Sequence, residues 1–432
     1  MKKPVTFDPV RLEVCWNRLI SIASEQAATM VASSFSAVLG DMEDLSAGVF
    51  DAKGVMMAQS VQGAPGHLGS LSAGVKTFLD VFAPAAIAPG DVLITNDPWL
   101  VSGHKHDITV VTPVFLGRRL VGFTASNCHT VDIGGRIFSA AAAEVYEEGL
   151  LIPRMKLYDR GRRNETLFRM IEENVRSPEL VLGDLHAQVS ANQTAAARVL
   201  EFMRDQRLAD LQDLSRAVTS RTDRLMRRAV RRLPDGVYRD RVQLDGVGAA
   251  LEVAVAITIA GERITIDFAG TSPQVPKGVN SVLNFTEAFS RYAIKCLLAP
   301  DSPNNDGSFA CIRVVAEADG VQSSEAMAST AMNPTLWRCM AYCGPGLPRP
   351  TSSSEARKIG FMSGPSSSVP VPCSTAPARR EMARLAIGPR AAADPPTVIP
   401  GIRHPRPLRT WSEIHAHGPR KSVCLFEGFE RQ

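Results

Sequence analysis

Long apolar runs are absent. No stretch of the 432 residues approaches the roughly 18 consecutive apolar positions of a membrane span. The start lacks a secretory pattern, since Met1-Lys2-Lys3 is followed by Asp8 and Arg11 with no apolar segment between them. Cysteine is scarce and irregularly spaced, eight in all, which argues against a disulfide scaffold and for reduced thiols; Cys339 and Cys343 have no second pair to complete a zinc site. Charge of one sign is also lacking, with 21% charged residues and a net charge of +4, so neither a disordered acidic chain nor a strongly basic nucleic-acid binder is expected. There is no G-x-x-x-x-G-K-[ST] phosphate loop, no G-x-G-x-x-G after a strand and no G-x-S-x-G elbow. What remains is 45% apolar, enough for a large core, and reads as an enzyme-sized protein of the cytoplasm with no membrane or nucleic-acid partner.

The charge is unevenly distributed. Residues 1–320 hold 34 Lys/Arg against 37 Asp/Glu, whereas residues 321–432 hold 14 against 7. Prolines divide 14 to 15 between these parts, and the tail shows no sustained period of 2 or 3.6. Two readings compete for it: a disordered basic extension, or the product of a frameshift in a GC-rich gene, of which the second is adopted as the expectation. The expected organisation is an N-terminal α+β domain over 1–177, a helical region over 178–235, a hairpin-plus-helix part of a truncated second domain over 236–320, and a Pro/Arg/Ser-rich tail over 321–432.

Within the first 320 residues the fold class is α+β, with mixed or antiparallel sheets, flanking helices and a long helical region after Pro178. Asp8 and Pro9 mark a helix start, and Leu12, Cys15, Trp16, Leu19, Ile22 and Ala23 form its apolar stripe to about Val31. Short strands are expected at 48–50, 55–58 and 91–95, and helices at 71–82 and 285–298. Residues 108–115 and 120–126 form a hairpin about Gly117-Arg118-Arg119. A second hairpin alternates apolar residues from Leu251 to Phe268 about Gly261-Glu262.

The first hairpin bears chemistry. His104, His106 and His129, three of the eight histidines, flank it, with Asp107 at its start. Antiparallel partners have residue numbers of constant sum, here 235 or 236, so Asp107 faces Cys128 or His129 at the open end. Two imidazoles and a carboxylate at one strand end suit Mn²⁺, Fe²⁺ or Zn²⁺, with a fourth oxygen from Asp41 or Asp44. The alternative is that these histidines only satisfy backbone groups. Alternation turns His106 away from His104, toward solvent or behind the ligands. Cys128 is a ligand or a small buried thiol. His67, in a Gly-flanked loop, is a catalytic acid/base or a residue at a helix start without chemistry.

At these residues the sequence resembles the hydantoinase B/oxoprolinase family, which includes B-type subunits of ATP-dependent hydantoinases and alpha subunits of acetone and acetophenone carboxylases. The resemblance is carried by Asp8-Pro9-Val10, Asp44-Leu45-Ser46-Ala47-Gly48-Val49-Phe50-Asp51, Gly66-His67-Leu68-Gly69-Ser70, Asn96-Asp97-Pro98-Trp99, Gly103-His104 through Asp107, His129 with Asp132-Ile133-Gly134-Gly135, Gly183-Asp184-Leu185, Asp267-Phe268-Ala269-Gly270 and Pro303-Asn304-Asn305. It covers about residues 8–316 and ends near the compositional break. It implies a divalent metal held by His104, Asp107, His129 and a carboxylate, with Asp41 standing where many relatives have Glu. It also implies ATP use by a separate A-type partner subunit, which activates the substrate by phosphorylation. The function so implied is that of a B-type subunit opening a hydantoin or 5-oxoproline-like cyclic amide, with His67 as acid/base. An alpha-type subunit of a ketone carboxylase and a truncated, inactive family member are the alternatives.

Overall fold

The computed structural model describes residues 5–317 other than 68, 137, 138, 247 and 249. The expectations for the tail from residue 321, and for Cys339 and Cys343, lie outside the described residues. Asp8 accepts hydrogen bonds from the Val10 and Arg11 N–H groups, and Pro9 takes the first position of helix α1 (Pro9–Ala32). The predicted stripe from Leu12 to Ala23 is the buried face of α1. A one-turn helix α2 (Ala37–Gly40) leads into strands β1 (Leu45–Asp51) and β2 (Met56–Gln59). Helix α3 (Ser70–Val81) and strand β3 (Val92–Thr95) follow, then the hairpin of β4 (Asp107–Leu116) and β5 (Arg119–His129). Gly117, at φ 64°, makes its turn in the left-handed region.

Strands β6 (Met155–Asp159) and β7 (Arg162–Arg163) complete a seven-stranded sheet in the order β2-β1-β5-β4-β3-β6-β7. Every neighbouring pair in it is antiparallel. Helices α4 (Glu165–Asn174), α5 (Pro178–Asp205) and α6 (Gln212–Val230) come next, the helical stretch after Pro178 being divided in two where Arg207 adopts φ 54°. The apolar faces of α1, α5 and α6 pack on Val49, Met57, Val114 and Val121. On the opposite side, Leu71, Val75 and Phe78 of α3 pack on Phe50, Met56, Val111 and Phe123. A sheet covered on both sides buries alternate and intervening residues alike, so β1 is buried along its whole length. Each fully buried large apolar side chain in these layers contributes about 1.5–3 kcal/mol relative to exposure.

The second sheet, in the order β11-β10-β9-β8, is built from β8 (Gly236–Leu244), β9 (Leu251–Ala260), β10 (Arg263–Asp267) and, beyond helix α7 (Leu283–Leu298), β11 (Ile312–Val315). The β9–β10 hairpin is the one expected from alternation; β11 runs parallel to β10 after the α7 crossover. Its core joins Val253, Val255, Ile257, Ile264 and Ile266 to Met226 of α6 and Ile294 of α7. Among the described residues no helix is long and apolar enough to cross a membrane.

Candidate metal centre

The hairpin register places the site. Asp107 pairs with His129, and Ile108 with Cys128, which resolves the two registers open from the sequence. Asp107 opens β4 and His129 closes β5, so the residues between them fold away and leave both side chains at one strand end. His104 reaches the same point from the loop before β4. Its Nε2 lies 2.9 Å from Asp107 Oδ1, and His129 Nδ1 lies 3.0 Å from that same oxygen. The three donor atoms all lie within 4.8 Å of one another, and all three residues are buried.

This donor set fits a divalent cation. Ligands at right angles around an ion with bonds of about 2.0–2.2 Å are themselves about 3 Å apart. Two imidazole nitrogens and a carboxylate oxygen are the donors of mixed N/O transition-metal sites. Burial opposes charge on Asp107, but the neighbouring His104 and His67 charges and the imidazole hydrogen bonds outweigh it and hold the carboxyl well below its ordinary range. Burial likewise disfavours a proton on His104, yet the Asp107 carboxylate overrides it and the pKa is raised.

His67 sits on the other carboxylate oxygen. Its Nε2 is 3.0 Å from Asp107 Oδ2, it is 3% exposed, and its pKa is raised because Asp107 outweighs the desolvation that acts against it. Its Nδ1 has no hydrogen-bond partner among the described residues. Asp107 thus presents Oδ1 to the His104–His129 pair and Oδ2 to His67.

Asp41 is not brought to this cluster. It is exposed at the C-terminal end of α2, and an acidic side chain that does reach the site is Asp44, whose Oδ2 lies 4.0 Å from His129 Nδ1. Glu43, at φ 52°, turns the chain between them, and the Asp44 carbonyl accepts the His129 N–H at 3.0 Å. Sequence spacing alone does not distinguish Asp41 from Asp44, because that turn decides which of them faces inward.

His106 does not face solvent. It is 2% exposed, its ring stacks on His129 with centroids 5.4 Å apart, and burial followed by the neighbouring imidazoles pushes its pKa down to about 3. The alternation argument fails because residues 104–106 precede the strand, which starts at Asp107. Cys128 is the buried thiol rather than a ligand: its Sγ contacts Met30 Sδ at 3.8 Å, in a cluster with α1 and α2.

Amide side chains brace the hairpin from behind. Gln188 of α5 donates to the carbonyls of Ile108 and Ser126, and Asn192 donates to Val110, each at 2.9–3.1 Å. Gln26 of α1 donates to Ala125 O and to Asn192 Oδ1. Asn96 donates to Lys105 O and accepts from the Ile152 N–H, tying down the loop that carries His104. Gln26, Gln188 and Asn192 carry no motif of their own; their signal in the sequence is a polar residue at an inward position of an apolar helix stripe.

The profile of the family described as Hydantoinase B/oxoprolinase matches residues 8–343. The B component of a putative D-/L-hydantoinase from Pseudomonas sp. (strain NS671) is 29% identical over 72% of this chain and 56% of its own length. The beta component of the Pseudomonas jessenii caprolactamase is 30% identical over 72% of this chain and 54% of its own length. The crystal structure of ATP-dependent caprolactamase from Pseudomonas jessenii superposes with a TM-score of 0.72 at 27% identity, over 79% of this chain and 61% of that one. Nucleotide-free acetone carboxylase, at a TM-score of 0.68 and 15% identity over 75% of this chain and 45% of that one, shares the fold. The chain spans about half the length of the curated relatives it matches.

Proposed function

This chain belongs to the hydantoinase B/oxoprolinase family, and on that premise we propose that it is a B-type subunit of an ATP-dependent cyclic amidohydrolase. It acts on a ring amide of the hydantoin, lactam or 5-oxoproline kind, in complex with an A-type subunit that uses the ATP. Hydantoinase and caprolactamase subunits among its relatives support the reaction class. The observation that carries the reading is the convergence of His104 Nε2 and His129 Nδ1 on one oxygen of Asp107, the donor set for a divalent metal.

A divalent cation in such a site polarises a carbonyl or acidifies water. His104, Asp107 and His129 would hold it, with the Asp44 carboxylate close to His129. His67 forms an imidazole–carboxylate pair with Asp107, which fixes its ring and leaves Nδ1 to take or give a proton. His106, uncharged above its low pKa, stacks on His129 without adding charge to the site. His67, His104, Asp107 and His129 are all buried, and low-dielectric surroundings strengthen each of these interactions.

Metal analysis of the purified chain before and after His104→Ala tests the assignment. Stoichiometric divalent metal in the parent and its loss in the variant are expected. Unchanged metal in His104→Ala overturns the site. Ring opening of a hydantoin or lactam by the complex with its A-type partner and ATP tests the reaction, and turnover only with a ketone and bicarbonate overturns that part.

A further inference from the structure

Phe285 stands in the first turn of α7, far along the chain from the histidines, yet it touches the two loops that carry them. It is 7% exposed and packs with Val282, Trp99 and Phe289. Gly66 directly precedes His67, and Gly103 directly precedes His104. A methyl group added at Gly66 would lie 2.7 Å from Phe285 Cε2, and one at Gly103 would lie 3.0 Å from Phe285 Cβ and Cδ2. The ring therefore fills the space between two glycines, and Gly103, at φ 94°, is a position that suits only glycine. Neighbouring Asn284 ties the same turn down by donating to Pro98 O at 3.0 Å and to Val101 O.

The two loops have little regular backbone pairing of their own. His67 lies in a three-residue 3₁₀ turn, Pro65–His67, and the Gly103 N–H is held by a single bond to Pro98 O at 3.1 Å. The separation of His67 from His104 is nevertheless critical, because both reach opposite oxygens of one carboxylate, at 3.0 and 2.9 Å. A rigid aromatic ring transmits a fixed spacing where a flexible side chain would not, since packed interiors deform little.

We infer that Phe285 is a positioning residue for the metal centre: wedged between Gly66 and Gly103, it sets the spacing of His67 and His104 about Asp107. The inference rests on the metal reading proposed above and adds to it a dependence on α7, a helix whose other face belongs to the second core through Ala293 and Ile294.

The test uses the full chain, metal-free, as wild type, Phe285→Ala, Phe285→Leu and Ile294→Ala. Each is titrated with Co²⁺ and followed by visible absorption, and the imidazole ¹H–¹⁵N resonances are recorded before metal is added. Phe285→Ala is expected to weaken cobalt binding by about tenfold or more, to alter the cobalt spectrum and to shift the His67 and His104 resonances, while circular dichroism shows an intact fold. Phe285→Leu, which keeps most of the volume, should recover most of the affinity. Ile294→Ala, which removes volume from the same helix away from the glycines, should match wild type in affinity and spectrum. Wild-type affinity, spectrum and resonances in Phe285→Ala overturn the wedge, as does an equal loss in Ile294→Ala, which would mean general loosening. A wild type that takes up no cobalt overturns the metal reading instead; the wedge then stands or falls on whether the imidazole resonances move in Phe285→Ala.

Discussion

The two sheets use the same local device and put it to different ends. Both are organised around an antiparallel hairpin, β4–β5 in one and β9–β10 in the other. In the second sheet no polar side chain of β8, β9, β10 or β11 is buried among the described residues, and the core beneath it is apolar. In the first, the hairpin alone buries Asp107, Thr109, Thr112, Thr124, Ser126, Asn127 and His129. Burying such groups is unfavourable unless they find partners, and most of them do: Asn127 donates to Thr109 Oγ1 and Ser102 Oγ, Thr124 donates to Asn192 O, and the imidazoles meet Asp107. The β9–β10 hairpin is apolar on its inner face and wetter on its outer one. The β4–β5 hairpin is enclosed on both faces and keeps its polar groups dry.

That contrast breaks most visibly at Asp107. In Asp107→Asn the histidines lose the one carboxylate that faces three of them, and removing one partner of a buried charge cluster costs about 3–5 kcal/mol. Denaturant unfolding of the metal-free variant should show that loss, and metal analysis should find no stoichiometric ion. Wild-type stability together with retained metal would mean the cluster is ornamental. The counterpart in the second sheet is Ile266→Ala, at a fully buried position of its core. The expected cost is about 2–5 kcal/mol from lost burial and the cavity left behind, with metal affinity unchanged. A fall in metal affinity alongside the stability loss would show that the two cores are not energetically separate.

The same contrast explains what is legible in the sequence. The β9–β10 hairpin shows in its alternation because one face is wetter than the other, Thr258 and Thr265 being less buried than Ile257 and Ile264. The β4–β5 hairpin has no such alternation; two β-prone runs about Gly117 reveal it, and the constant-sum rule then brings Asp107 to the end of β5. Strand β8 escapes a sequence reading because Asp240 interrupts its Tyr238, Val242 and Leu244 face, and that face is only half-buried. Helix α4 is a different case, absent from the expectations although Leu167, Phe168 and Ile171 recur at helical steps behind an Asn164 cap. In the site, residue types and hairpin pairing suffice to bring His104, Asp107 and His129 together. The choice of Asp44 over Asp41 hangs on the left-handed Glu43, and the burial of His106 on a loop that precedes the strand. Neither is a local sequence property. The contact of Phe285 with the glycines before His67 and His104 needs the tertiary fold, because α7 and these loops lie far apart along the chain.

The subtlest expected effect is the pH dependence of metal-free stability, which only the first sheet should impose, since residues 236–317 contain no histidine. His67 and His104 have raised pKa values, because the Asp107 carboxylate outweighs their desolvation. Above the ordinary value of 6.5 the unfolded chain has shed protons that the folded chain still binds, so stability falls as pH rises until the folded values are passed. His106 acts in the opposite sense. Burial holds it down to about 3, so below 6.5 the unfolded chain binds a proton that the folded one refuses, and stability falls as pH is lowered. Asp107, well below 3.8, adds to that acid-side loss once the pH drops under its ordinary value. The two arms meet in a maximum near the ordinary histidine value. Chemical unfolding of the metal-free chain from about pH 5 to about pH 8 measures it, and a stability that keeps rising through this whole range would contradict the raised values of His67 and His104. Saturation with a divalent metal should flatten the alkaline arm, because the ion takes the place of the protons whose loss creates it.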